Sequence, residues 1–292
     1  MTIGLVLSDI TTPFAGRVAR AVEDLAMDAG MSVVFADTDE RIDREERAIR
    51  TFFDKGVDGV IVAPAPGDHG FLSSYLARGW PVVAINRQID KEVVPAVLPD
   101  NVGGAAAATQ HMIDHGHRRI GIVAPRARPS SVQERIEGHE QALRRSGIQR
   151  DGRLLVADDA SVQGGMMAAR RLLKLGRRPT AMLSFSSVMT LGVIVALRES
   201  GVKVPDDVAL IGFDEANWSV AVAPPLTSVD LCAEAIGQTA ARLLFDWIAT
   251  KQPPRRLEHR IPTLFLARRS CGCASPPSKE VHESPAAITF AD

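Results

Sequence analysis

The sequence alternates between short apolar runs and longer amphipathic runs, and glycines mark the ends of most amphipathic runs. These glycines recur at intervals of about 23 to 37 residues: Gly30, Gly56, Gly79, Gly116, Gly147, Gly176 and Gly201. Glycine suits the position just after a helix because it adopts the left-handed backbone conformation at little cost. Each interval is long enough for one strand, one helix and their connections. The pattern therefore predicts an α/β fold with parallel sheets and helices on their faces.

The first repeat of this pattern begins almost at the start of the chain. Residues 3–8 form an apolar run typical of a strand that is buried on both faces. Thr12 is placed to cap the helix that follows, and Pro13 suits its first turn, where a backbone N–H has no helical partner. Asn101 is likewise predicted to cap a later helix that runs to His115. The loop between the first strand and its helix lies where open α/β sheets bind ligands.

Length and composition limit the class of protein. A chain of 292 residues suits two lobes rather than one small core. A net charge of −1 and a pI near 6.7 argue against binding of nucleic acid by this chain through charge. No apolar run approaches the roughly 18 to 20 residues of a membrane span, and no signal peptide is recognisable. Three cysteines do not make a disulfide framework. We therefore expect a cytoplasmic protein without membrane contact.

The regular alternation of predicted strands and helices changes after Pro224-Pro225. A strand is predicted over residues 226–229, a long helix over 233–250 and a last strand over 257–261. Residues 271–292 begin with a Cys-Gly-Cys triplet and then become rich in proline, serine and charge without any period. Such a composition predicts a disordered tail.

Several classes of catalytic and cofactor site lack their sequence signatures. The loop after the first strand contains no glycine and no Gly-x-Gly-x-x-Gly, and the chain has no phosphate-binding loop of the P-loop type. It also has no Gly-x-Ser-x-Gly nucleophile elbow. The serines after the strand predicted at 181–183 have no histidine beside them in the sequence. We therefore expect no cofactor and no enzymatic activity.

The densest group of possible metal ligands is His111, His115 and His117. The first two are four residues apart, so they lie on one helical face, which is compatible with a metal. The sequence shows no neighbouring cysteine or glutamate that would complete a set of three or four ligands. A solvated helix end, with His115 contacting the last carbonyls, is therefore the preferred interpretation. The Cys271-Gly272-Cys273 triplet could bind metal or oxidise, but beside the predicted tail incidental thiols are favoured, and we expect no metal site.

Polar residues follow several of the predicted strands. They are found at residues 8–14, at Asn86-Arg87, at residues 184–187 and at Asp214-Glu215, while Arg135 lies early in another helix. Singly, each is explained as a turn or cap residue. Together they lie at the edges of two parallel sheets, where a cleft would form. Carboxylate, guanidinium and amide groups form many hydrogen bonds with a polyol or sugar, so the set predicts a small polar ligand.

The order and spacing of short motifs resemble one family. From residue 3 to about residue 268, the chain is similar to the effector-binding core of LacI/GalR transcription regulators, which has the type I periplasmic-binding-protein fold. The motif Gly116-His117-Arg118-Arg119-Ile120 is the most specific. The others are Ser8-Asp9-Ile10 with Pro13-Phe14, Asp37-Thr38-Asp39, residues 57–61, 81–83, 86–87, 100–101, 135–138, 204–208, 211–214 and 224–229.

This resemblance implies two Rossmann-like lobes joined by three crossovers near residues 116–118, 229–231 and 259–263. The expected lobes are residues 1–116 with 230–259, and residues 117–229 with 260–270. It also implies a homodimer and an effector in the cleft between the lobes, whose binding shifts an open/closed equilibrium and thereby changes DNA binding. Operator DNA would be bound by a helix-turn-helix head and hinge helix before the first strand. This chain shows neither, so as given it is expected not to bind an operator.

The resemblance also assigns roles to individual residues. Phe14 matches an aromatic platform for a sugar ring, Arg87 and Arg135 match guanidinium contacts to hydroxyls or carboxylates, and Asp214 matches a polyol-binding carboxylate. Asn86 stands where the family often has an aspartate. With the strand-end positions, the full set of expected ligand contacts is Asp9, Thr12, Phe14, Asn86, Arg87, Arg135, Ser186 and Asp214.

Three departures from the family pattern bear on the ligand. Ala15 stands where a second aromatic residue is common, Ser186-Ser187 replaces an Asn-Asp pair, and Leu231 stands where sugar binders often have glutamine. A larger, less hydroxylated or acidic effector therefore fits at least as well as a simple sugar. The alternative functions are a sugar-binding protein of a transport system, which needs an export signal, and an enzyme on an α/β scaffold, which needs a nucleophile–base pair or a metal set.

Overall fold

The computed structural model describes residues 1–89 and 92–273, and the backbone of residues 280–281. These residues fall into two compact units. The first unit comprises Met1–Pro99 and Cys232–Ile261, and the second comprises Asp100–Leu231 and the chain from Pro262 onward. The chain therefore passes between the units three times, which is the number that the family resemblance implies.

The first unit contains a six-stranded sheet in the order β11-β5-β4-β3-β1-β2, and all of its strand pairs are parallel. The strands are β1 (Thr2–Leu7), β2 (Ser32–Asp37), β3 (Gly59–Val62), β4 (Val82–Ile85), β5 (Ala96–Pro99) and β11 (Glu258–Ile261). The helices are α1 (Pro13–Asp28), α2 (Ile42–Asp54), α3 (Ser73–Leu76) and α8 (Ala233–Thr250). Strands β3, β4 and β5 are buried along their whole length, as expected for strands covered on both faces.

Helix α1 forms as its sequence predicts. The Thr12 hydroxyl accepts a hydrogen bond from the Ala15 N–H, and Pro13 occupies the first turn. The buried face of α1 packs against α8, where Gly237 allows close approach: a Cβ at that position would lie 3.0 Å from the Val18 carbonyl oxygen. The first helix and the last helix of the first unit are thus joined in one layer.

The second unit contains a seven-stranded sheet in the order β13-β12-β10-β9-β8-β6-β7. Strands β6 to β10 pair in parallel, whereas β12 is antiparallel to β10 and β13 is antiparallel to β12. The strands are β6 (Ile120–Pro125), β7 (Leu155–Asp158), β8 (Ala181–Ser184), β9 (Ala209–Phe213), β10 (Thr227–Asp230), β12 (Leu264–Leu266) and β13 (Glu280–Val281). The helices are α4 (Asn101–Asp114), α5 (Ser130–Arg145), α6 (Val162–Leu173) and α7 (Ser187–Glu199).

The first passage between the units lies earlier than expected. The sequence places residues 100–116 in the first lobe, but the structure assigns α4 to the second unit because α4 packs against α5. A Cβ on Gly138 would lie 3.0 Å from the Ala105 methyl group, so the two helices touch almost backbone to backbone. The other two passages, after Leu231 and after Ile261, fall next to or within the expected ranges.

Two smaller expectations are also corrected. Asp100, not Asn101, caps α4, because its carboxylate accepts a hydrogen bond of 2.9 Å from the Gly103 N–H. The expected tail includes Cys271 to Cys273, yet Cys271 is only 1% exposed. Most of the remaining expected tail, residues 274–279 and 282–292, lies outside the described residues. Within the described part of the chain, no helix is both long enough and apolar enough to cross a membrane.

Candidate functional site

The loop after β1 places the first two expected ligand residues. One Asp9 carboxylate oxygen accepts hydrogen bonds from the Thr11 N–H at 2.8 Å and the Thr11 hydroxyl at 2.6 Å. The Thr12 hydroxyl donates to the Asp9 carbonyl oxygen at 2.9 Å while it caps α1. Phe14 lies on the buried face of α1 and is only 6% exposed. Asp9 and Thr12 thus shape the loop, and Phe14 is embedded in the first unit.

Asn86 and Arg87 follow β4 in the same sheet. Asn86 has a positive φ of 65°, which is uncommon for a residue with a side chain. Its buried Oδ1 has no hydrogen-bond partner within the part of the chain that the structure describes. Arg87 donates through both terminal nitrogens to the Glu40 carboxylate, at 2.6 and 2.7 Å, and also to the Pro64 carbonyl oxygen at 3.0 Å. The Arg87 guanidinium is therefore already neutralised by a bidentate carboxylate.

Arg135 lies in α5 of the second unit and is only 5% exposed. Its Nε donates to the Asn101 side-chain oxygen at 2.8 Å, and Nη1 donates to the Phe185 carbonyl oxygen at 2.6 Å. The guanidinium carbon also lies 4.8 Å from the centre of the Phe213 ring. These contacts hold a cation in a fixed place near the carboxyl ends of β8 and β9.

Ser186 and Asp214 follow the neighbouring strands β8 and β9 in the second unit. Ser186 precedes α7, and its carbonyl oxygen accepts a hydrogen bond from the Thr190 hydroxyl at 2.7 Å. The Ser187 hydroxyl donates to the Asp214 carboxylate at 3.0 Å. Asp214 has a positive φ of 69°. Glu215, the next residue, pairs with Arg268 at 2.7 Å. Asp214 thus lies beside the start of α7, whereas Glu215 is tied to the chain after β12.

Asn86 and Asp214 occupy equivalent places in the two sheets. The order β5-β4-β3-β1-β2 in the first unit corresponds to β10-β9-β8-β6-β7 in the second. Asn86 directly follows β4, and Asp214 directly follows β9. Each sheet thus presents one short polar residue, in a left-handed backbone conformation, at the carboxyl end of the corresponding strand. This is the edge where open parallel sheets bind ligands.

The predicted residues therefore form one group in each unit. Asp9, Thr12, Asn86 and Arg87 follow β1 and β4 of the first sheet, whereas Arg135, Ser186 and Asp214 lie around the ends of β8 and β9 of the second. Sequence analysis missed the partners that fix these residues, namely Glu40 for Arg87 and Asn101 for Arg135. Both partners lie in or next to family motifs, but no local signal shows which side chains they contact.

A second polar group lies apart from these residues and was not expected. His115 contacts the His111 carbonyl oxygen at 2.8 Å, as predicted for a helix end. However, Cys271 and Cys273 approach the two histidines, and the sequence gives no sign of this because about 160 residues separate them. Burial opposes ionisation of Cys271, but hydrogen bonds, chiefly with His111, outweigh it and lower the pKa of Cys271 to about 6. Burial and the bond with Cys271 raise the pKa of Cys273 to about 12.

Comparison with known proteins identifies the family. Residues 1–269 match the family described as periplasmic binding proteins and sugar binding domain of LacI family. The HTH-type transcriptional repressor PurR of Photobacterium profundum is 28% identical over 269 residues, which cover 91% of this chain and 80% of that protein.

Two solved structures are similar over nearly the whole chain. The transcription regulator CcpA of Lactococcus lactis is 27% identical, with a TM-score of 0.85, and the match covers 92% of this chain and 98% of that one. A LacI family transcriptional regulator from Enterococcus faecium with bound ribose is 29% identical, with a TM-score of 0.82 and the same coverages. These relatives favour a regulator over a transport protein. The chain belongs to the LacI family and is the periplasmic-binding-protein-like core of a transcriptional regulator.

Proposed function

We propose that this core senses a small polyhydroxylated solute, which is a sugar, a polyol or a sugar acid. The observation that carries the proposal is the pair of polar strand-end groups, one in each unit. Asp214 accepts hydrogen bonds from ligand hydroxyls, Arg135 donates to them, and Asn86 can do both. We also assign Asp9, Thr12 and Phe14 to the ligand-binding edge of the first unit and Ser186 to that of the second.

The charges of these groups favour a hydroxyl-rich ligand over a strongly anionic one. Arg87 is held by Glu40 through two short hydrogen bonds, so it has no net charge to offer unless that pair opens. Arg135 provides a buried cation near the ends of β8 and β9, and Asp214 provides an anion at the end of β9. A neutral sugar or polyol suits one cation and one anion. A sugar acid would direct its carboxylate to Arg135.

The regulatory mechanism follows from a difference in affinity between two states. An effector that binds a closed arrangement more tightly than an open one shifts the population toward the closed one. In a homodimer this shift would change the spacing of two helix-turn-helix heads and hence their affinity for operator DNA. We place this activity in the cytoplasm, where the operator is, and propose no cofactor and no catalysis.

The test is a thermal-shift screen of the purified chain with pentoses, hexoses, disaccharides, polyols and sugar acids. A ligand at about 100 times its Kd stabilises the folded state by about 2.7 kcal/mol, which is roughly 5 to 10 °C in Tm for a protein of this size. Hits are then measured by calorimetry for Asp214→Asn, with the exposed Asp206→Asn as the matched control. The proposal predicts at least tenfold weaker binding for Asp214→Asn alone. If no solute in the panel stabilises the folded protein, or if both variants bind like the original, the proposal fails.

A further inference from the structure

Four metal-ligating side chains converge in the second unit, outside the proposed effector site. His111 and His115 lie at the end of α4, and Cys271 and Cys273 lie in the segment after β12. We call these four residues the His/Cys cluster. The reactive atoms of His111, His115 and Cys273 all lie within 4.8 Å of one another. Cys271 Sγ lies 3.3 Å from His111 Nε2 and 3.3 Å from Cys273 Sγ.

Four of the six separations between these ligand atoms lie close to the edges of a zinc coordination tetrahedron. Zinc–sulfur bonds of about 2.3 Å and zinc–nitrogen bonds of about 2.0–2.1 Å place neighbouring ligand atoms about 3.3 to 3.8 Å apart. Cys273 Sγ lies 3.5 Å from His111 Nε2 and 3.4 Å from His115 Nε2. The two sulfur atoms would need to separate by only about 0.5 Å to reach their tetrahedral distance.

A hydrogen bond and ring contacts orient the two histidines for coordination. A carbonyl oxygen can only accept a hydrogen bond, so the 2.8 Å contact with the His111 carbonyl requires the proton of His115 on Nδ1. The lone pair of His115 Nε2 then points toward Cys273. A hydrogen bond to the ring nitrogen that does not bind the metal fixes the tautomer and the ring orientation of a histidine ligand. The His111 ring is held between His115 and Phe265, with ring centres 4.2 and 4.7 Å apart.

We propose that the His/Cys cluster is a structural zinc site with His111, His115, Cys271 and Cys273 as its four ligands. Two sulfur and two imidazole ligands select a borderline-soft cation such as Zn²⁺ over Mg²⁺ or Ca²⁺, which prefer oxygen. Four protein ligands close the coordination sphere, as in structural rather than catalytic zinc sites. The ion would fasten the segment after β12 to the end of α4. This inference does not depend on the identity of the effector.

The experiment uses the full chain, reduced with a phosphine and stripped of metal with a chelator. Zinc chloride is titrated in competition with a chromophoric chelator, and Co²⁺ is added separately as a spectroscopic probe. We expect one equivalent of Zn²⁺ per chain. We also expect thiolate-to-cobalt charge-transfer bands together with the intense visible bands of tetrahedral cobalt.

Variants test the ligand assignment. His115→Ala changes an exposed side chain, so the fold is retained, and Cys273→Ser changes a half-buried one. Each is expected to weaken zinc binding by at least a hundredfold. His117→Ala and Cys232→Ser are the matched controls, since neither residue belongs to the cluster, and they should bind zinc like the original chain.

Three outcomes would overturn the proposal. The first is the absence of stoichiometric zinc binding by the reduced, folded chain. The second is unchanged affinity in both His115→Ala and Cys273→Ser. The third is a cobalt spectrum without sulfur charge transfer. A chain that binds no zinc when reduced but loses two hydrogens on mild oxidation would instead show that Cys271 and Cys273 form a redox pair.

Discussion

Replacing Arg135 with methionine separates the structural role of this side chain from its proposed contact with the effector. Methionine keeps much of the length and can still pack against Phe213, but it donates no hydrogen bond. The change leaves two buried acceptors short of a donor, the Asn101 side-chain oxygen and the Phe185 carbonyl. Each stranded acceptor costs about 1 to 3 kcal/mol. Removing the buried guanidinium also removes the desolvation penalty of its charge, which offsets part of that cost. We therefore expect the free energy of unfolding to fall by about 2 kcal/mol, within the range of such losses.

The assay is urea denaturation followed by circular dichroism and by the fluorescence of the tryptophans, of which Trp218 lies in the second unit. Arg128→Met is the matched control, because Arg128 is exposed in the loop before α5, and its effect should stay within about 0.5 kcal/mol. Effector affinity is then measured on the folded variant. A loss of stability without any loss of affinity would show that Arg135 only supports the fold. A variant as stable as the original would refute the reasoning from stranded acceptors.

Three further predictions address stability and binding. Burial, with a smaller contribution from Arg150, lowers the pKa of His139 to about 4, so the folded state favours the neutral ring. The contribution of the neutral His139 ring to stability is complete above its ordinary pKa of 6.5 and falls by about 3 kcal/mol as the pH drops to 4. His139→Gln should flatten this pH dependence in acid unfolding curves. Gly192→Ala would drive a methyl group into the Val162 carbonyl and should lower the free energy of unfolding in urea by about 2 kcal/mol or more. Gly16 has open space around it, so Gly16→Ala should be neutral or stabilising. Asn86→Gly keeps the left-handed backbone and removes the amide, so calorimetry should show roughly three- to tenfold weaker effector binding, while stability is retained or rises by up to about 1 kcal/mol because glycine tolerates the positive φ.

The fold could be predicted because its strands and helices carry strong local signals. The helix predicted over residues 233–250 agrees with α8, and the strand predicted over residues 226–229 agrees with β10 to within one residue. Strands β5 and β7 were not predicted. Strand β7 is preceded by a 3₁₀ turn at Gly152–Leu154 rather than by a clear break. Short strands of this kind are defined by their neighbours in the sheet rather than by their own sequence.

The boundary between the units was misplaced for a related reason. Gly116 is a strong local signal for a helix end, and it does follow α4. What assigns α4 to the second unit is its packing on α5 through small residues such as Ala105 and Gly138. Small residues on a helix face permit close contact but do not specify which helix they contact. A pattern confined to one segment therefore cannot locate the passage.

The strand-end positions of the candidate residues were predictable from the sequence, but their hydrogen-bond partners were not. Strand ends could be identified from the sequence, and the expected residues do follow the expected strands. Their hydrogen-bond partners come from other segments: Glu40 lies 47 residues before Arg87, and Asn101 lies 34 residues before Arg135. The same limit explains why the histidines of α4 were judged to lack further ligands. Cys271 and Cys273 follow β12, which pairs with β10, and both of these strands contact α4.

The backbone at Asn86 and Asp214 gives an independent reason to assign these two residues to ligand binding. A left-handed conformation costs a residue with a side chain roughly 1 to 2 kcal/mol, and glycine would avoid most of that cost. Asparagine and aspartate tolerate it better than other residues, yet neither is needed for folding at a strand end where glycine would serve. Strained residues of this kind concentrate at functional sites. Because both lie at equivalent strand ends, we infer that each unit accepts this strain to present a polar side chain at its own ligand-binding edge.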